Sequence, residues 1–303
     1  MVLLGLACGG LGVPAAVALA LGTVASLGGL AGQRKRYHSL SRWFLQGAII
    51  AMAAGIDFPS ALRVGVEGLG VTFFSIVGIL LLGILLGRLL GVARDTALLV
   101  SVGTAVCGGS AIAAIAGVIK PGNQKIATSL TVVFTLNGLA LFVFPMIGHG
   151  LGLSQASFAW WSALSIHDTS SVVGAASAYG ESSLQLATTV KLARALWIIP
   201  IAIVFGVLRR DRVDSHRSFS AFPWFVLVFV GVVALFWGLP GLRGAGSVLS
   251  GLGKSAMVVA LFFIGACIDF KGIRAAGARA FLLGVSLWLP TAALALVYVY
   301  HFH

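Results

Sequence analysis

Long apolar runs separated by short polar or basic stretches organise the chain from end to end. Ten of them approach or exceed the ~20 helical residues needed to cross ~30 Å of hydrocarbon: residues 5–30, 41–57, 68–92, 96–119, 124–149, 156–179, 184–208, 221–239, 250–269 and 277–300. The pattern predicts an all-α polytopic membrane protein of about ten transmembrane helices, with 1–303 as a single transmembrane domain. Two runs are interrupted. The fourth carries "SVGTAVCGGSAIAAIAGVIKPGN" (101–123) and the sixth "SIHDTSSVVGAASAYG" (165–180), and glycines and clustered hydroxyls weaken a helix interior. Unwound backbone at membrane depth survives only where protein or water surrounds it. Residues 94–208 are therefore expected to form the core transport region, with the remaining helices, scaffold included, in 1–93 and 209–303.

Basic residues fall between the runs. Arg34, Lys35, Arg36 and Arg42 follow the first, Arg88 and Arg94 the third, Arg209, Arg210, Arg212 and Arg217 the seventh, and Lys271, Arg274 and Arg279 the ninth. If every run crosses, these loops share one face, which the positive-inside rule makes cytoplasmic. Both termini then lie outside, and Lys120 and Lys125 are the main exceptions. "GIDFPSALRVG" (55–65) and "CIDFKGIRAAG" (267–277) close the second and ninth runs, an odd number of spans apart, which is the parity of an inverted repeat.

Composition agrees. Of 303 residues, 59% are hydrophobic and 9% charged, against about 25% charged in a soluble domain. The 40 glycines suit close helix packing in lipid. The net charge of +12 sits in short loops, so it sets topology rather than a nucleic-acid face. The N-terminus lacks a basic n-region, so the first run is read as a retained span. Cys8, Cys107 and Cys267 lack metal-type spacing, and neither disulfide nor metal is expected. Trp43, Trp160, Trp161, Trp224 and Trp237 fall near predicted span ends, as an aromatic belt would. His149 and His216 are read as loop residues, Asp57 and Asp269 as local caps, and Asn137 as facing either a cavity or a neighbouring helix.

The candidate chemistry lies in the interrupted runs. Intramembrane ionisable groups mark a substrate or ion path by default. His167 and Asp168 sit near mid-span, with Lys191 and Arg194 at similar depth on the next span. Two cations against one carboxylate leave a positive surplus, and half-helix N-termini offer free N–H groups to an anion. The expected substrate-binding set is Thr104, Cys107, Gly108, Gly109 and Ser110, with Ser165, His167, Asp168, Thr169, Ser170, Lys191 and Arg194. Asp168 and His167 are the groups through which protons would couple. Sodium held by carbonyls at the breaks, or no coupling, stays open, and no cofactor is expected. A bland alternative is an Asp168–Arg194 pair that only sets helix register. Asp168→Asn and Lys191→Ala are each expected to abolish transport without unfolding the protein.

"GTAVCGGSAIAA" followed by "LSIHDTSSVVGAASAYGESSLQLATTVKLARAL" resembles the bacterial YeiH family, which is labelled for sulfate export. The resemblance runs through nearly the whole chain and is strongest over 94–210, although family members usually carry an additional N-terminal helix. It implies a secondary exporter of sulfate in the bacterial inner membrane, while the residues themselves suit any small oxyanion, sulfite or a sulfonate included. The order of short span, span, glycine-broken span and span is also similar to half of a bile-acid-sodium-symporter-type transporter. That similarity implies a core of crossed broken helices moving against a scaffold. There the broken helices lie five spans apart and here two, so either the repeat is arranged differently or one segment is re-entrant.

The leading function is thus a secondary transporter of a small anion, and not an enzyme. An anion channel is the alternative. An intramembrane hydrolase using Cys107 or a serine with His167–Asp168 is disfavoured, because adjacent His and Asp diverge on a helix. The expected partners are the small anion and the lipid bilayer, not nucleic acid; a homodimer on glycine-rich faces stays open.

Overall fold

The computed structural model describes residues 2–11, 13–27, 34–208, 224–267 and 277–302. Among these every regular element is an α-helix, apart from one 3-10 turn at Pro240–Leu242. Five segments are long and apolar enough to cross a membrane: Phe58–Leu89, Asn123–Gly150, Glu181–Phe205, Gly244–Ala266 and Ala278–Phe302. The chain divides into two compact units, Met1–Val64 with Trp224–Asp269, and Gly65–Pro223 with Phe270–His303.

In the first unit α13 (Arg243–Ala266) is the central helix. α1 (Val2–Gly10), α2 (Ala15–Leu27) and α3 (Arg34–Ala53) pack on it, and α12 (Trp224–Gly238) packs on α3. The run 5–30, read as one span, is two helices. Pro14 opens the second, where its missing N–H costs nothing. Gly22 faces the Phe262 carbonyl and Gly265 the Leu19 carbonyl, so α2 and α13 meet backbone to backbone. Asp57 caps α4 (Phe58–Leu89), accepting from the Ser60 N–H at 3.0 Å and the Ser60 hydroxyl at 2.7 Å. The second I-D-F copy, with Asp269, Lys271 and Arg274, lies outside the described residues, as do Arg209, Arg210, Arg212, His216 and Arg217.

The second unit corrects the expectation that all ten runs cross. The fourth run folds as α5 (Arg94–Ala105) and α6 (Gly109–Ile119), which double back on each other. A Cβ on Gly103 would touch Ile112 at 2.9 Å, pairing residues on either side of the bend. At the open end Lys125, at the start of α7 (Asn123–Gly150), bridges Asp95 at 2.8 Å. Had α5 and α6 formed one crossing of ~1.5 Å per residue, those ends would lie more than ~30 Å apart. The sixth run repeats this as α8 (Gln155–Ser165) and α9 (Thr169–Tyr179), and Phe158 stacks on Tyr179 with ring centroids 3.8 Å apart. Its open end is tied to the start of α10 (Glu181–Ala195), where the Ser182 and Ser183 N–H groups donate to Gln155 Oε1 at 3.0 and 3.3 Å. Tyr179 also stacks on His149, in the last turn of α7 rather than in a loop, with centroids 4.2 Å apart. The two hairpins thus enter from opposite ends of α7. The boundaries of α9 lie sixty positions after those of α6 (109 to 169, 119 to 179).

Cysteines at both members of the Asp95/Lys125 pair, in a chain without native cysteines, are expected to be joined by a short bis-maleimide. Failure to join, with each single cysteine reactive from a different side of the membrane, would restore the crossing arrangement.

The rest of the unit braces the hairpins. Gly83 and Gly87 let α4 lie against Ser101 and Ala97 of α5. α14 (Ala278–Phe302) packs on α5, α7 and α8. Its residue Arg279 lies against Gly91, so Arg279 shares an end with the open mouth of the first hairpin. α10 gives way at Leu196–Trp197 to α11 (Ile198–Leu208), because Pro200 has no N–H for the Leu196 carbonyl. Two tryptophans also depart from the belt: Trp160 and Trp161 are buried in protein, and the Trp161 indole donates to the Ala292 carbonyl at 2.9 Å. Trp43 and Trp237 are exposed, as a belt requires.

Candidate functional site

The hairpin tips meet halfway along α7. The first tip is Val106, Cys107 and Gly108. α5 ends at Ala105, and the Gly108 N–H returns to the Gly103 carbonyl at 2.9 Å. Gly108 adopts φ 66° and ψ −125°, a conformation suited to glycine, and opens α6 with no side-chain cap. The second tip is Ile166, His167 and Asp168. Asp168 caps α9: its Oδ2 accepts from the Ser170 N–H at 3.0 Å and from the Ser170 hydroxyl. A Cβ on Gly108 would stand 3.1 Å from Asp168 Cβ, so the tips touch.

α10 supplies the cations, and both are fully buried. Lys191 Nζ donates to the carbonyls of Ile166 at 2.6 Å and Ala163 at 3.3 Å. Arg194 Nε donates to Ala105 O at 2.7 Å, and Nη1 to Leu164 O at 2.6 Å and Ala163 O at 3.4 Å. Those oxygens close the C-termini of α5 and α8, where helix dipoles gather partial negative charge that favours a cation. The pairing of Arg194 with Asp168 read from depth alone is thus replaced by pairing with main-chain carbonyls. Any helix end offers such carbonyls whatever its side chains.

α7 contributes Asn137, whose Oδ1 accepts from the N–H groups of His167 at 3.2 Å and Asp168 at 3.3 Å. This residue was outside the expected site. Its one cue was a polar amide in the middle of an apolar span, which does not say which neighbour it serves.

The twelve expected residues come together here, in three settings. Thr104, Cys107, Gly108, Ser165, His167, Lys191 and Arg194 are buried. Gly109, Asp168, Thr169 and Ser170 are half-buried, and Ser110 is exposed. Among the described residues, seven buried side-chain polar atoms have no protein partner, and six belong to this junction: Thr104 Oγ1, Asn137 Nδ2, Ser165 Oγ, both His167 ring nitrogens and Arg194 Nη2. Leaving such a group unpaired costs about 1–3 kcal/mol. Arg194 Nη2 and Asn137 Nδ2 can only donate, so what suits them is a hydrogen-bond acceptor. Among the described residues no three His, Cys, Asp or Glu side chains come together as a metal site would need.

Residues 11–284 match the family described as Conserved hypothetical protein 698. A UPF0324 membrane protein of Bdellovibrio bacteriovorus is 44% identical over 282 residues, covering 92% of this chain and 87% of its own length. Another from Vibrio vulnificus is 42% identical over 278 residues, 91% of this chain and 89% of its own. A third, from Geobacter sulfurreducens, is 39% identical over 268 residues, 88% and 83%. No solved structure matches the chain. With five helices suited to crossing a bilayer, this is a multi-pass membrane protein. It belongs to the Conserved hypothetical protein 698 family of UPF0324 membrane proteins, the YeiH type that its two motifs resemble.

Proposed function

We propose that the protein is a secondary transporter of a small anion such as sulfate, sulfite or a sulfonate in the bacterial inner membrane. One observation carries the reading: six buried polar atoms without protein partners, two of them strict donors, gathered where two hairpin tips meet beside Lys191 and Arg194. Donors and buried cations repel a cationic cargo and attract an acceptor of negative charge. α6 starts at Gly109 with no side-chain cap from Gly108, and such a helix start suits an anion. At α9 the matching place is filled by the chain's own carboxylate, Asp168. Protonation of Asp168 couples proton movement to the anion by removing that internal competitor.

In this reading α5–α7 and α8–α11 are an inverted repeat whose hairpins are re-entrant from opposite faces. Similarity at the sixty-residue offset is slight (Ser110/Ser170, Ala116/Ala176, Ala127/Ala187, Thr128/Thr188). The matched helix boundaries support the repeat more strongly. Arg88, Arg94, Lys120, Lys125 and Arg279 then share the cytoplasmic face, so Lys120 and Lys125 cease to be exceptions. One hairpin facing each side suits alternating access better than an open channel.

Uptake of labelled sulfate and sulfite into proteoliposomes, with and without a proton gradient, tests this for wild type and Asp168→Asn. Asparagine caps a helix as well as aspartate does, so the variant is expected to fold. Saturable, gradient-stimulated uptake that the variant loses is the expected result. Flux that never saturates favours the channel, and no uptake of either anion removes sulfate and sulfite as substrates.

A further inference from the structure

Two hairpins that enter from opposite faces must not open together, or the pathway would leak. Something has to sense both at once. Gly108 at one tip stands against Asp168 at the other, where an added Cβ would lie 3.1 Å from the Asp168 Cβ. Lys191 holds the α8 arm alone, through Ile166 and Ala163. Asn137 holds the second tip alone, through His167 and Asp168.

Arg194 differs. Its planar guanidinium carries donors in fixed directions. Nε reaches the last carbonyl of α5, in the first hairpin, at 2.7 Å. Nη1 reaches Leu164 of α8, in the second, at 2.6 Å. Nη2, equally buried, has no protein partner. Two of the other unpartnered groups flank these anchors, Thr104 beside Ala105 and Ser165 beside Leu164. The group therefore joins three things: a bond to the first hairpin, bonds to the second, and one buried donor left over.

We propose that Arg194 links the two gates to the cargo, with Nε and Nη1 holding the first arms of both hairpins and Nη2 taking an oxygen of the bound anion. This rests on the anion-transporter reading above. The anion completes the guanidinium's hydrogen bonds, stiffens the plane and so holds both arms while it is present. Lysine at this position keeps the charge but presents donors from a single nitrogen, which cannot span two helix ends and a ligand.

Cys107, buried at the first tip, is a native reporter of that hairpin's opening. Cys8 and Cys267 are replaced by alanine, and labelling of Cys107 by a membrane-impermeant maleimide is followed in right-side-out and inside-out vesicles, with and without potassium sulfate. Wild type is expected to label from one side, about tenfold more slowly in sulfate, a factor equivalent to ~1.4 kcal/mol. Arg194→Lys is expected to label from both sides at a rate that sulfate does not alter. Should Arg194→Lys not fold, Arg194→Ala is assayed with added guanidinium chloride, which is expected to restore protection by sulfate. Protection retained in Arg194→Lys, or Arg194→Ala unmoved by guanidinium, overturns the link while leaving the transporter reading intact. Wild-type labelling indifferent to sulfate overturns the link together with the anion reading beneath it.

Discussion

Gly108→Ala is expected to slow transport sharply while leaving the helices on either side of the tip folded. Gly108 holds φ 66° and ψ −125°, where an L side chain is strained by about 1–3 kcal/mol. The added methyl would also stand 3.1 Å from Asp168 Cβ and 3.2 Å from its Cα, and neither is the yielding end of a flexible side chain. The first tip must move away from the second to admit it. An offset of 1–3 kcal/mol between tip arrangements corresponds to roughly 5–150-fold in a coupled equilibrium. Transport is expected to fall by about that factor, measured as initial uptake in proteoliposomes containing equal amounts of protein. Gly117→Ala is the control, because a Cβ there meets nothing within 4 Å. Equal losses in both would mean that the Gly108 conformation is irrelevant to transport.

Lys191→Met is expected to destabilise the protein as well as inactivate it, which revises what the sequence alone predicts for this position. Methionine roughly matches the stem of lysine but cannot donate. The Ile166 and Ala163 carbonyls, held by Lys191 Nζ at 2.6 and 3.3 Å, would lose that donor at the buried end of α8. The Ala163 carbonyl keeps Arg194 Nη1 at 3.4 Å, so the orphaned group is the Ile166 carbonyl, at about 1–3 kcal/mol. Relief from burying an ammonium offsets part of this, since an isolated charge in a dry interior is itself expensive. The expected net result is a lowered Tm in detergent and no uptake. Lys191→Arg is expected to recover stability ahead of transport, because a guanidinium supplies donors but crowds Arg194 one turn away. A Lys191→Met protein with wild-type Tm would show that the lysine serves the anion and not the helix end.

The positions of both breaks were legible in the residues. Cys107-Gly108-Gly109 and His167-Asp168 interrupt apolar runs, and the helices end at Ala105 and Ser165. Lys191 and Arg194 were legible as two cations three apart on one face of an apolar helix, well inside the span. Their partners were not, since a carbonyl at a helix C-terminus leaves no mark in the side-chain sequence. Asn137 was visible as an anomaly, but its bonds to His167 and Asp168 depend on α7 passing the second tip.

Hydropathy, composition and the placement of charge suffice to establish a helical membrane protein with two interrupted segments, because the cost of polar groups in lipid is local and adds along the chain. Which runs cross and which turn back is not local. A broken span and a re-entrant hairpin are the same apolar string with a weak point in the middle. What separates them here is contact between residues about thirty apart: Asp95 with Lys125, and Gln155 with Ser182. Those contacts bring the open end of each hairpin to the start of the helix that follows it, and leave both tips meeting around Arg194.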